Sequence, residues 1–346
     1  MTASDQSGFA VGLGLTNDCD LACAHCYRDT ERIDRLTLDQ VRRVCDRLPI
    51  RSVNLGTGEN GLHPQFHEIL RYLHERGTAI TVTSNGFTAA ALDDEELRWL
   101  ADVEFSLDFP TERDQDAWRG PGNWRLVLDQ LDRSRRLGVP ITIVSVMMRT
   151  NYDRLSEIAT LAATHAATFR VNVYQPVKSD VFSLGYNEFW DGFRMLIESS
   201  PLAICNEPIV RAFAGFDAAG GCGRTTIRVT PRGEVLPCVY WPKRSLGLED
   251  LETLGGEITE SAAFRELDHV PAFCRGCPVI DSCRGGCASR RFLRGSLDLP
   301  DEFCPFAAGK KPPSFAVRVG TGASRRFPKA ESACTSVFGA ASQASR

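Results

Sequence analysis

The 346-residue chain has no apolar run long enough to span a membrane, and its first eight residues, MTASDQSG, are polar. The first absence excludes a transmembrane helix, and the second leaves no basic and apolar segments to form a secretory signal. A cytoplasmic location and no membrane partner are therefore expected. A formal net charge of -4 leaves no basic excess to neutralise a phosphate backbone, which argues against a nucleic-acid partner. There is no internal repeat of fixed period. Histidine is scarce, and His63, His67, His74, His165 and His269 show no paired ligand spacing, which argues against a histidine-built metal site.

Cysteine is the exception to this plain composition. The chain has 13, a density that means disulfides in a small secreted protein and metal in a cytosolic enzyme of this length. They are also clustered. Cys19, Cys23 and Cys26 lie near the N-terminus, and seven more fall between Cys222 and Cys304. Cys45, Cys205 and Cys334 stand apart, and a buried apolar thiol is the plain reading of Cys205.

Between these groups the chain alternates short apolar strands with amphipathic helices. FAVGLGL (9–15), RSVNLG (51–56), AITVTS (79–84), VEFSLD (103–108), PITIVSVMM (140–148) and FRVNVYQ (169–175) read as strands. A capping box at Thr37 and Gln40 opens the first helix, and Gly77 closes the second. Such alternation predicts a parallel sheet covered on both faces, and the pattern fits an open doubly wound sheet or an incomplete barrel. In either, ligands gather at the C-terminal ends of the strands, where the first cysteines, the glycines of GTGENG (56–61), SNG (84–86) and SLD (106–108) all fall. After residue 200 the rhythm breaks. TTIRVTPRGEVLPC (225–238) reads as a hairpin, followed by cysteine-rich loops, and residues 309–346 read as a disordered tail.

GTGENG spells the G-x-G-x-x-G of a dinucleotide loop. It follows the second strand rather than the first, however, and the next strand ends without an acidic residue for a ribose. The cysteine spacings point elsewhere. Cys19, Cys23 and Cys26 form C-x3-C-x2-C directly after a strand, which can hold three irons of a 4Fe–4S cluster and leave the fourth open. A zinc knuckle is the alternative for this triad, and a zinc ribbon for residues 274–287.

The triad resembles that of the radical S-adenosylmethionine (SAM) superfamily, C-x3-C-x-φ-C, with His25 at the φ position. The seven later cysteines resemble the SPASM extension of many members: Cys222, Gly233, Cys238, then Cys274, Cys277, Cys283 and Cys287, then Cys304. This resemblance implies an α/β fold, an incomplete (β/α)6 TIM-like barrel over residues 1–200, with a small cysteine-rich SPASM domain over 201–308. It implies a SAM-binding [4Fe-4S] cluster on Cys19, Cys23 and Cys26. It also implies two auxiliary iron–sulfur clusters, one on Cys222, Cys238 and Cys287 and one on Cys274, Cys277, Cys283 and Cys304. Gly56, Gly58 and Glu59 resemble the family's methionine-binding GGEP segment, with Asn60 in the proline place and Glu59 expected to neutralise the methionine ammonium. Asn85 resembles a residue of the family's TNG segment, and Ser106 and Asp108 resemble residues near the SAM ribose and substrate.

The implied reaction is reductive cleavage of SAM to methionine and a 5′-deoxyadenosyl radical, which abstracts hydrogen from the substrate. An external one-electron reductant of flavodoxin or ferredoxin type is implied as partner. With only eight residues before the first strand, a small-molecule substrate (a sugar, aminoglycoside or nucleoside intermediate) is slightly favoured. The alternative is maturation of a ribosomally made peptide with a separate leader-binding partner. A non-catalytic iron–sulfur or zinc scaffold is the reading from another class.

Overall fold

The computed structural model describes residues 8–215, 222–317 and 335–339. Strands β1 (Phe9–Leu13), β2 (Ile50–Leu55), β3 (Ala79–Ser84), β4 (Leu100–Ser106), β5 (Ile141–Met147) and β6 (Thr168–Val173) follow one another across the sheet, each parallel to the next. This is the incomplete TIM-like barrel, and all six strands end on one rim. The outer residues of each strand are apolar and pack under helices, whereas the inner face carries polar residues such as Asn54, Thr83 and Arg170 that line the cavity, a departure from the expected sheet with both faces apolar.

The helices form where the sequence caps them. In α1 (Leu38–Arg47) the Thr37 hydroxyl accepts from Gln40 N at 3.2 Å and Gln40 Oε1 accepts from Thr37 N at 2.8 Å, so Val41, Val44 and Cys45 are turned onto the sheet. Helix α2 (Phe66–Glu75) buries Phe66, Ile69, Leu70 and Leu73. After β3 the chain makes two short helices, α3 (Phe87–Ala91) and α4 (Asp94–Arg98), of which the sequence pattern shows only the second. It also misses α5 (Glu112–Arg119), which precedes α6 (Asn123–Arg136), whereas α7 (Leu155–Thr164) lies where expected. A further helix, α8 (Tyr186–Ser199), packs on α7 and buries Phe189, Trp190, Phe193, Leu196 and Ile197.

The cysteine-rich region is welded to the barrel rather than hung from it. The expected hairpin is present as β8 (Thr226–Val229) and β9 (Val235–Leu236), turning at Pro231–Gly233, with β7 (Leu202–Cys205) before it. Strand β8 pairs in parallel with β1, setting Val11 against Ile227 and Leu13 against Val229. Across the junction Phe189 stacks on Phe303 with centroids 4.0 Å apart, and Trp190 Nε1 donates to Phe303 O at 3.0 Å. The sheet therefore runs through the boundary expected near residue 200.

The expectation of a wholly disordered tail over 309–346 is corrected at one place. Residues Thr335–Phe338 form β10, an antiparallel strand inserted between β6 and β7, and all four are buried. The segment is only four residues long, so its alternation is too short to register as a pattern. The physical reason for its order is the pair of open strand edges it satisfies.

Phe338 is fully buried against Phe169. Phe338→Ala is expected to cost roughly 3–5 kcal/mol of folding stability, read by urea denaturation.

Candidate active site

The loop after β1 carries Cys19, Cys23 and Cys26, all half-buried. Its shape comes from a dense set of local bonds. Asn17 Oδ1 accepts from Asp34 N at 2.7 Å, and its Nδ2 donates to the carbonyls of Asp29 and Arg32. Arg28 donates to the Asn17 carbonyl at 2.8 Å and to that of Leu21. The Cys26 amide closes a turn on Cys23 O at 3.0 Å.

The GTGENG segment leans directly on this loop. Glu59 N donates to Asp18 O at 2.7 Å. Gly58 has φ +65°, and a Cβ there would lie 2.3 Å from Asp18 O and 2.6 Å from Thr16 O. Only glycine allows that approach. Asn60 is fully buried and ties the segment back to its strand, donating through Nδ2 to Leu55 O at 3.1 Å.

Glu59 is at the site, with a duty that its sequence position does not reveal. Its carboxylate is 2% exposed and accepts from Ser84 Oγ, Thr88 N (2.7 Å) and Asn85 N (3.1 Å), so it fastens the end of β3 and the start of α3. Burial pushes its pKa up, opposed by these donors. Cys19, Asp20 and Glu59 each place a ligand atom within 4.8 Å of the others. Asn85 Nδ2 donates to Asp20 Oδ1 at 2.8 Å and lies 3.8 Å from Cys19 Sγ. Gly56, Gly58, Glu59, Asn85 and Ser106 line the same cavity as Cys19, Cys23, His25 and Cys26.

Asp108 is different. It is fully buried, and its carboxylate accepts from Arg119 Nε at 2.9 Å and Arg119 Nη2 at 2.7 Å, from Val146 N at 3.0 Å, and faces His25 Nε2 at 3.4 Å. Burial alone would raise its pKa, but Arg119 and His25 hold it below the usual carboxylate range. It does not line the cavity. Arg119 does, and its charge acts on Cys23. His25 is stacked on Trp118, centroids 5.4 Å apart at 17°, its pKa pushed down by burial against the pull of Asp108, and its Nδ1 has no partner. Arg119 and Trp118 were not legible in the sequence. The only local signal was Thr111 capping Asp114 at the start of α5.

The seven later cysteines fall into the two expected groups. Cys222, Cys238 and Cys287 line the far wall of the cavity of about 610 Å³ that also holds the N-terminal three. Cys274, Cys277, Cys283 and Cys304 line a second, small apolar cavity with Phe213 and Phe273. No disulfide joins the described cysteines. Burial pushes Cys19, Cys238 and Cys283 up to about 12, so these thiols need a bound cation to be ionised. Three thiols converging on a loop beside an unpartnered ring nitrogen, and two further all-cysteine sets, fit iron–sulfur clusters by their donor chemistry. Cys205 belongs to neither set, packing against Ser336 Oγ at 3.5 Å in the core.

One buried network holds both later groups. Arg290, 1% exposed, pairs with Glu207 at 2.7 Å and Asp301 at 2.6 Å. Asp301 Oδ2 also accepts from Cys287 N at 2.8 Å, while its carbonyl accepts from Cys304 N at 3.0 Å.

Against this geometry, residues 13–162 match the Radical SAM superfamily family model. The mycofactocin maturase MftC of Mycolicibacterium smegmatis is 29% identical over 320 residues, covering 84% of this chain and 81% of its own. Residues 13–162 are a radical SAM domain. The scaffold alternative gives way to an enzyme that uses SAM and a [4Fe-4S] cluster. The PqqA peptide cyclase of Ruegeria pomeroyi is 27% identical to the enzyme over 320 residues, covering 84% and 85% of the two chains. Streptococcus suis SuiB bound to its precursor peptide SuiA shares the fold, with TM-score 0.64 at 16% identity over 86% of this chain and 75% of that one.

Asp301→Asn removes half of the charge facing Arg290 and is expected to cost about 3–5 kcal/mol of stability. Iron analysis should show lower occupancy in the SPASM part, with the N-terminal cluster retained.

Proposed function

We propose that the enzyme is a maturase acting on a ribosomally made peptide, in preference to a sugar, aminoglycoside or nucleoside substrate. The observation that carries this is that two relatives covering more than four-fifths of the chain are, by name, a maturase, mycofactocin maturase MftC, and a peptide cyclase, PqqA peptide cyclase. The cavity supports it: it is open, with Asp29, Glu31, Asp34, Lys178 and Arg232 around its mouth, a rim able to take polar backbone.

In this proposal Cys19, Cys23 and Cys26 hold the SAM-binding cluster. Cys222, Cys238 and Cys287 hold the first auxiliary cluster, and Cys274, Cys277, Cys283 and Cys304 the second. When bound, SAM and the reduced cluster supply a 5′-deoxyadenosyl radical that takes hydrogen from the substrate. The chain's contribution is placement. Gly56 and Gly58 let backbone approach the methionine moiety. Glu59 shapes that wall by holding Ser84, Asn85 and Thr88, and its carboxylate borders the cavity where the ammonium would sit. Asp108 is a positioning residue: it holds Arg119 and His25 at the cluster loop, while Ser106 faces the cavity. A one-electron donor of flavodoxin or ferredoxin type completes the cycle.

Anaerobic incubation of reconstituted enzyme with dithionite, SAM and short peptides encoded beside its gene tests this by mass spectrometry. Formation of 5′-deoxyadenosine together with a mass change in one peptide is expected. Turnover of sugar or nucleoside acids with every peptide unchanged would overturn it. Cys23→Ala should abolish 5′-deoxyadenosine, whereas Cys283→Ala should lower iron content and leave SAM cleavage by the N-terminal cluster measurable.

A further inference from the structure

The charged side chains at interior strand positions, Glu104 and Arg170, are paired, with one exception. Glu104 on β4 pairs with Arg170 on β6 and accepts from Thr83 Oγ1 at 2.5 Å, and Asn54 joins them at 3.4 Å from Thr83. Arg228 on β8 is the exception. Ile227 and Val229 face the core, so the period of the strand turns Arg228 into the cavity. Its guanidinium has no ion pair or hydrogen bond with any described residue.

The chain makes room for this cation. Arg228 is the register partner of Gly12 on β1, and a Cβ on Gly12 would lie 2.2 Å from Arg228 Nη1 and 2.6 Å from its Cδ. Glycine in a strand interior costs stability and here serves to let the side chain lie across β1. Burial pushes the Arg228 pKa down, and the charged groups around it are Cys238, Cys222, Arg170 and Tyr27. Arg170 is already paired with Glu104. A half-buried guanidinium turned into the cavity, with no protein acceptor among the described residues, is open to an anion, and its planar fork suits a carboxylate.

We propose that Arg228 binds a carboxylate of the substrate, seating the reacting residue between the N-terminal cysteines and the Cys222–Cys238–Cys287 wall. This rests on the reading of the cavity as the substrate site, and it narrows the peptide proposed above to one with an acidic group at the reacting end. A chain-terminal carboxylate and an Asp or Glu side chain offer the same chemistry.

Reconstituted enzyme with SAM is incubated with three libraries of N-acetylated tripeptides. The first has free C-termini and no acidic residue, the second has C-terminal amides and one Asp or Glu, and the third has amides and no acidic residue. Peptides retained on ultrafiltration are counted by mass spectrometry. One of the two carboxylate libraries should be retained about 10- to 100-fold over the neutral one, the worth of a charge-assisted hydrogen-bonded pair, and which one identifies the source. Arg228→Gln should abolish that preference at unchanged iron content. Gly12→Ala should weaken it by displacing the guanidinium.

Equal retention of all three libraries, or an undiminished preference in R228Q, would overturn the proposal. So would an intact preference accompanied by a shifted midpoint potential of the first auxiliary cluster, which would make Arg228 that cluster's counter-charge. Retention of small sugar acids instead of peptides, lost in R228Q, would keep the anion site and remove the peptide reading.

Discussion

The parallel pairing of β8 with β1 is the contact on which the site depends. β1 delivers the Cys19–Cys26 loop to the rim of the barrel, and β8 leads through its hairpin to Cys238. Because the two strands are hydrogen-bonded neighbours, two cysteine groups separated by some 200 residues of sequence face one cavity. The same pairing sets Arg228 over Gly12. A looser connection between barrel and cysteine-rich region would leave two separate metal sites and no enclosed space between them.

Around this cavity the fold buries charge in compensated sets. Asp108 is matched by Arg119, Glu104 by Arg170, and Arg290 by Glu207 and Asp301. Buried pairs of this kind contribute little net stability, since desolvation offsets much of the attraction. What they provide is position. Glu104–Arg170 and Glu207–Arg290 join elements 66 and 83 residues apart, and two of the sets stand beside cysteine loops: Arg119 by Cys23, Asp301 by Cys287 and Cys304.

Much of this was legible beforehand. The six strands, most of their helices and the β8–β9 turn follow from period and capping, and the grouping of the cysteines is what the family resemblance implies. The glycines of GTGENG were placed at the right strand end, with Gly58 required by its approach to Asp18. Three features were not legible. Glu59 is spent largely on Ser84, Asn85 and Thr88, contacts made 25 to 29 residues away. Arg119 sits on a short polar helix with no apolar stripe to announce it. Strand β10 has too few residues to show a period, and its order comes from the two edges it fills.

Cysteine spacing carried the chemistry into the primary structure, because three thiols on one tight loop must converge whatever surrounds them. Strand and helix periods did the same for the barrel, since they express geometry within a few residues. Partnership between distant groups is another matter. Arg290 finds Glu207 across 83 residues, and Arg43 finds Glu252 across 209. Which buried charges are paired, and that Arg228 is left over, depends on β6 and the β1–β8 pair coming round to the same cavity from opposite ends of the six-strand run. No local pattern encodes that, because each of these arginines has the same side chain and differs only in what the fold sets against it.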